Sequence, residues 1–353
     1  MIGSSSYISL TTKIRAMKKA LLSPSDLKHL AESPDLSSAI QKLREFPGYQ
    51  EILSAYDTED LHRRDLEKIL NLAKFRDFTR LYRFCYSKQR AFLKFYFMKY
   101  ELALLQRCLR RSMKMQAPDF DLKEYADFFQ KHSKLHFEEL LEANSPQSFV
   151  ESLKQSMYYP LLDSLYKKGN TALFEYELRM NLFYFKTIWH KKDKFVSKKE
   201  RELLASSFGT ELDLLNLQWI YRSKKYYSLP DSALFSLLIP TYHRLKKNEV
   251  KELVQAASME EFEAAFSSTY YGKLSGRIFE QIPNIERLHQ KLIYKIYLGN
   301  AKKNPYSLAS LNLYLLMKDR EVESIINTIE SIRYSLPPEQ IIKDILNIEE
   351  GPA

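Results

Sequence analysis

Glycine is scarce in this chain, with eight in 353 residues, about a third of the usual share. So few glycines leave little room for tight turns or for loops that cradle phosphate. The segment Gly272-Lys273-Leu274-Ser275-Gly276 has neither the spacing nor a preceding strand for that purpose. Cysteine is scarcer. Cys85 and Cys108 cannot build a disulfide framework, and their settings (RFCYS and QRCLRR) are helical in pattern. Both are expected to be small core hydrophobes in a reducing compartment. No run approaches the roughly eighteen apolar residues that cross a bilayer. The opening MIGSSSYISL lacks the basic start, apolar stretch and cleavage site of a signal peptide. Alternating strand patterns are missing at any useful length.

Catalytic patterns are missing as well. There is no Gly-x-Ser-x-Gly elbow, and neither cysteine has a basic orienting motif beside it. His132 and His136 share a helix face near Glu138 and Glu139, but Ser133 stands where a zincin needs glutamate. The chain is read as a non-enzyme with no cofactor and no metal. It is placed in the cytosol, or at a membrane only through partners.

What is present is helix. Apolar residues make up 45% of the chain, enough to exclude disorder, and the length allows two or three domains with real cores. Leu66, Ile69, Leu70 and Ala73 form one stripe at the 3.6-residue period; Phe92, Phe95, Tyr96, Leu102, Leu105 and Leu109 form another. Ser23-Pro24-Ser25-Asp26 and Ser33-Pro34-Asp35 carry helix-start chemistry. The fold class is all-α. The 54 basic against 44 acidic side chains leave a net charge of +10, which favours acidic partners. Both signs are interspersed, as in Asp57–Arg64 and Lys246–Glu252, which predicts solvated helix faces rather than a nucleic-acid stripe. The densest basic stretch, His190–Arg201, reads as an exposed helix end or loop.

Two blocks recur. Residues 23–53, 136–162 and 249–274 each read as two short amphipathic helices separated by cap residues. Each closes on a tyrosine, Tyr49, Tyr159 and Tyr270, which lie 110 and 111 residues apart. A second block follows at 99–110, 211–222 and, more faintly, 319–330. It aligns Glu101, Asp213 and Glu321 at separations of 112 and 108. Nine residues further on stand Arg110 and Arg222, with Glu330 in the third copy. Two blocks in one order at one period predict three homologous helical units of ordinary domain size, at 1–115, 116–228 and 229–353. The tyrosine doublets Tyr158-Tyr159, Tyr226-Tyr227 and Tyr270-Tyr271 are candidate partner anchors, although recurrence at repeat boundaries favours packing.

These blocks resemble the C-subunit family of bacterial and archaeal V-type ATPases, whose eukaryotic relative is the d subunit of the V-ATPase. The family's aromatic–Arg helix, "LLS–x–x–D" turn and "Tyr–x–x–x–Leu" closure have counterparts in Tyr7–Arg15, Leu21-Leu22-Ser23 with Asp26, and Tyr49–Leu53. Its "Tyr–Asp–x–x–Asn" helix ending in Arg matches Asp213, Asn216 and Arg222. The first copy keeps Tyr100, Glu101 and Arg110 but has Leu104 at the Asn position. Lys318-Asp319-Arg320-Glu321-Val322 resembles "Lys–Glu–x–Glu–Ile", with Ser324 for Asn. The resemblance runs from Tyr7 to about Ile345. It implies a pseudo-threefold funnel that joins the rotor shaft subunits to the membrane ring of proteolipid subunits. The complex would be peripheral on the inner face of the cell membrane and serve ATP-linked proton or sodium transport.

Under that resemblance Glu101, Arg110, Asp213, Arg222 and Glu321 are candidates to line the socket or touch partners. An acid and an arginine nine residues apart lie on opposite sides of a helix, so the alternative is that they bind neighbouring helices within their own unit. The rival function is a helical-repeat scaffold that binds nucleic acid through its basic surface, including Lys186–Arg201. The mixed charge weighs against it, and no nucleic-acid partner or small-molecule substrate is expected.

Overall fold

The computed structural model describes residues 2–56, 61, 63–114, 125–169, 172–191, 198–275 and 285–349. Among these the chain is all-α, without a strand. It forms two compact units, one from 1–85 with 196–353 and one from 86–195.

The 86–195 unit is built on two long helices that pack along each other, α6 (Ser87–Ser112) and α11 (Leu173–Lys191). Between them in sequence lie four short ones: α7 (Ala126–His132), α8 (Phe137–Glu142), α9 (Pro146–Glu151) and α10 (Tyr159–Lys167). The predicted stripe on α6 is buried, with Phe92, Leu105 and Leu109 nearly inaccessible, but Leu93, Phe97 and Leu104 on the other side of the helix are buried as well. Full burial of such side chains stabilises by about 1.5–3 kcal/mol each. Cys108 lies buried on the same helix as a free thiol, and burial pushes it up to about 11, so it is inert packing material.

The other unit begins with α1 (Ile2–Lys18), α2 (Pro24–Ala31), α3 (Leu36–Glu45), α4 (Gln50–Leu53) and α5 (Arg63–Phe84). After α12 (Lys198–Arg222) and a five-residue π-helical turn come α13 (Asp231–Leu237), α14 (Lys247–Gln255), α15 (Met259–Ser268) and α16 (Tyr270–Ser275). The long helices α17 (Ile285–Lys303) and α18 (Leu308–Arg333) and the terminal α19 (Pro338–Glu349) complete it. Two hydrophobic cores among the described residues of this unit share α18. Its first turns supply Ala309 and Leu313 to a core with Leu217, Leu253, Phe262, Tyr271 and Leu292. Its last turns supply Val322, Ile325 and Ile329 to a core with Leu27, Ile40, Leu43, Ile69 and Ile341.

The helix starts follow the sequence closely. Ser23 caps α2 with Asp26 answering in a capping box and Pro24 in the first turn. At the next start Asp35 is the cap, accepting from the Ser38 amide at 2.7 Å, while Ser33 is buried. The equivalent second short helices α9 and α15 are capped by Ser145 and Ser258. The same pairing of long helices recurs: α6 on α11, α12 on α17, and α18 on α5.

Candidate functional site

Each of the three aligned acids sits inside a core on the first helix of such a pair. Glu101, Asp213 and Glu321 are 8%, 1% and 4% exposed. A buried carboxylate is costly unless hydrogen-bonded, and each is bonded in the same two directions. In one direction it accepts from a buried tyrosine: Tyr158 to Glu101 at 3.1 Å, Tyr271 to Asp213 at 2.8 Å, Tyr49 to Glu321 at 2.8 Å. In the other it holds the loop that enters the first short helix of the motif. Ser133, ahead of α8, donates its hydroxyl to Glu101. The amides of His243, Arg244 and Leu245, ahead of α14, donate to Asp213 at 3.1, 2.7 and 3.0 Å. The amide of Leu22, ahead of α2, donates to Glu321 at 2.7 Å. One side chain thus fastens both ends of a two-helix motif to a long helix.

The three ties differ in electrostatics. Burial raises the Glu101 pKa, opposed by the Ser133 and Tyr158 hydroxyls. Burial also raises Asp213, opposed by its three amides and then by Tyr271. Glu321 has a cation: Lys318 Nζ, one helical turn earlier, is 2.6 Å from its carboxylate. The same ammonium donates to the Tyr49 hydroxyl at 3.0 Å, lies 4.3 Å from the Tyr49 ring centroid, and stands 3.8 Å from Asp77. Tyr314 completes the cluster by donating to Asp77 at 2.6 Å. Tyr49 and Tyr314 are both pushed well above the usual phenol range, first by burial and then by the nearby carboxylates.

The two arginines point the other way, as nine residues of helix require. Arg110 Nε donates to Glu177 on α11 at 2.7 Å, and Arg222 Nε to Glu286 on α17 at 2.6 Å. Their side chains are 47% and 46% exposed. All five predicted residues therefore bind within their own compact unit: the acids reach the short-helix motifs and the arginines reach the second long helix. Asn216, from the same block, is fully buried and grips Ile239 twice, accepting its amide at 2.8 Å and donating to its carbonyl at 2.9 Å.

Sequence reading missed part of this site. The bonded tyrosines are Tyr158 and Tyr271, whereas the repeat alignment selected Tyr159 and Tyr270, their neighbours in each doublet. Tyr159 is half-buried and Tyr270 is 41% exposed. Gly272 gives a clue to the register: a Cβ there would lie 2.1 Å from the Phe266 carbonyl, so the chain after Tyr271 closes against α15 as only glycine permits. Lys318, Asp77 and Tyr314 were not predicted. The visible signal is a lysine three residues before a glutamate on a helix whose preceding turns, LASLNLYLLM, carry no charge. Of the two histidines, His132 packs on the Phe97 and Phe128 rings, while His136 bonds to Gln155 at 3.2 Å. Residues 192–197 of the basic stretch 190–201 lie outside the described residues, while 190–191 end α11 and 198–201 begin α12.

Comparison with known proteins covers nearly the whole chain. The model of the ATP synthase (C/AC39) subunit family matches residues 10–343. The C subunit of the A-type ATP synthase of Methanosarcina mazei is 25% identical over 92% of this chain and 88% of its own length. That of Methanosarcina acetivorans is 23% identical over the same shares. That of Thermococcus kodakarensis is 22% identical over 95% of this chain and 88% of its own.

Proposed function

The chain belongs to the ATP synthase (C/AC39) subunit family, and from that premise we propose that it is a non-catalytic central-stalk subunit of a V/A-type rotary ATPase. In this reading it couples the rotor shaft subunits to the membrane ring of proteolipid subunits, for ATP-linked proton or sodium transport. The observation that carries the proposal is the acid–tyrosine tie made three times. A part that passes torque must resist shear, and close-packed helices with few voids have low compressibility. Tying both ends of each short-helix motif to a long helix removes the sliding motions that packing alone leaves open.

The order of the ties also supports three units. In terms of the repeats at 1–115, 116–228 and 229–353, Glu101 of the first reaches Tyr158 of the second. Asp213 of the second reaches Tyr271 of the third, and Glu321 of the third returns to Tyr49 of the first. A closed cyclic order of this kind suits a pseudo-threefold funnel. In this scheme the acids are internal fasteners, and Arg110 and Arg222, half-exposed, are the aligned residues best placed to meet a partner. No helix among the described residues is long and apolar enough to cross a membrane, so attachment to the inner membrane face is assigned to the partners. Basic side chains alternate with acids, as in Arg76 and Arg80 on Glu51 or Lys167 on Asp163, which favours this reading over the nucleic-acid scaffold.

The test is purification of the tagged chain from the membranes of its own cells. The other ATPase subunits should accompany it, and the isolated chain should hydrolyse no ATP. Recovery of the chain without any ATPase subunit, or binding to nucleic acid with a steep salt dependence, would overturn the proposal.

A further inference from the structure

Three long helices of this chain are each followed by a residue with left-handed backbone. The described non-glycine residues with left-handed backbone are Lys114 (φ 55), Ser228 (φ 47) and Ser335 (φ 55). They lie just beyond α6, α12 and α18, 114 and 107 residues apart. A left-handed residue past a helix end turns the chain and satisfies the last carbonyls. The α12 end departs from the other two. It runs on through a π-helical turn, Ser223–Tyr227, closed by the Ser228 amide on the Ser223 carbonyl at 2.7 Å. Such insertions are rare and concentrate at functional positions.

The insertion displays Tyr226 and Tyr227, 64% and 68% exposed, with ring centroids 6.4 Å apart in an edge-to-face pair. The other doublets each bury one ring; this one buries neither. Beside the pair stands Lys225. Its ammonium donates to the Tyr221 hydroxyl at 2.8 Å and lies 5.1 and 5.5 Å from the Tyr221 and Tyr226 ring centroids. The neighbouring cations are spoken for: Arg222 by Glu286 at 2.6 Å and Lys224 by Asp231 at 3.5 Å. The partners of Lys225 are neutral phenols, which hold the ammonium in place without cancelling its charge. A cation already fixed between rings loses little freedom when it takes a carboxylate.

We propose that the turn Tyr221–Ser228 is a protein-docking point, where an aspartate- or glutamate-bearing segment of a neighbouring ATPase protein seats its carboxylate on Lys225 and packs against Tyr226 and Tyr227. The proposal rests on the coupling-subunit reading and adds the place and chemistry of one contact. Exposed tyrosines are enriched at protein interfaces and at their energetic centres, and the charge of Lys225 selects an acidic segment as the occupant. An anionic membrane is the poorer occupant, because lipid attraction is built from clusters of four to eight basic groups. Here one cation is left uncancelled by a carboxylate.

The experiment uses the full chain, tagged and expressed in its own cells in place of the native copy, as wild type, Lys225→Glu, Lys225→Arg and Tyr226→Ala/Tyr227→Ala. The substituted side chains are exposed, so thermal melts should match wild type. In purifications from solubilised membranes, the charge reversal and the double alanine should each lower the retained ATPase subunits at least about tenfold, as loss of a central contact does; Lys225→Arg should retain them. A photo-crosslinker at position 227 should mark an acidic peptide of another subunit. Variants that assemble as well as wild type would overturn the docking point while leaving the coupling reading intact. Binding of the free chain to phosphatidylglycerol vesicles, abolished by Lys225→Glu with assembly unchanged, would also overturn it in favour of a lipid contact. A wild-type chain that brings down no ATPase subunit would overturn both.

Discussion

Glu321 on α18 and Glu101 on α6 occupy matching positions in the repeat and bind matching tyrosines, yet their surroundings differ in kind. Glu321 is held by a buried ammonium, a backbone amide and a phenol, with Asp77 and Tyr314 extending the network. Glu101 is held by two hydroxyls alone among the bonds described. Asp213 lies between, with no lysine but three amides. One mechanical task, fastening a two-helix motif to a long helix, is thus done by charge in one copy, by backbone dipoles in another and by neutral donors in the third. Removing a partner from a buried charge pair costs more than removing a neutral hydrogen bond, so the copies should differ widely in sensitivity.

The strongest way to break this contrast is Glu321→Ala. It leaves Lys318, with 5% of its side chain exposed, facing Asp77 at 3.8 Å without its main partner. A loss of about 3–5 kcal/mol is expected, read by chemical denaturation and by lost hydrogen-exchange protection over α2–α4. A loss below about 1 kcal/mol would mean that the pair contributes little and that the contrast is illusory. Next in size is Tyr49→Phe, expected to cost about 1–3 kcal/mol, because its hydroxyl both donates to Glu321 and accepts from Lys318. Tyr158→Phe should fall at the low end of that range, since only Glu101 loses a donor.

Glu101→Gln sharpens the comparison through pH. Burial raises the folded pKa of Glu101, so ionisation opposes folding. The favourable contribution of the protonated acid is complete below the unfolded carboxylate value, about 4.3, and is lost as pH rises through the folded value. The amide keeps an acceptor for Tyr158 and cannot ionise. The variant should therefore stay within about 1 kcal/mol of wild type at neutral pH and lack the share of the decline between acid and neutral pH that Glu101 contributes, while the share of Asp213, also raised by burial, remains. Parallel pH profiles from melts of the two proteins would refute the assignment. The smallest effects belong to Arg110→Ala and Arg222→Ala. Their ion pairs are half-exposed, worth about 1 kcal/mol or less, and the difference should shrink in about 1 M salt, which weakens solvent-exposed ion pairs.

The local half of this architecture is written in the sequence. Periodic stripes on α5 and α6, the Ser23–Pro24 start and the serine caps of the short helices act within a few residues, so composition and spacing suffice to find them. The sequence alignment of Glu101, Asp213 and Glu321 put together three acids that are each buried and bonded to a tyrosine. What the spacing did not reveal is which short-helix motif each acid holds. Glu321 and Tyr49 are 272 residues apart, and such pairings leave no local trace. The doublets show the limit most clearly: two adjacent tyrosines are chemically identical, and only burial selects Tyr158 over Tyr159 and Tyr271 over Tyr270. Lys318 was visible as a residue but not as a counter-ion, since a lysine near a glutamate on a helix is ordinarily a solvated pair. Here the apolar residues around both carry them into the core.

The central claim, that this chain transmits rotation through tied helical repeats and performs no chemistry, is tested most directly by add-back to ATPase-containing vesicles stripped of it, with ATP hydrolysis and ion uptake followed together. Ions moved per ATP should be near zero without the chain, be restored by the wild type, and be restored only in part by a Tyr49→Phe/Tyr158→Phe/Tyr271→Phe variant that still binds. Equal transport per ATP with and without the chain would contradict the account.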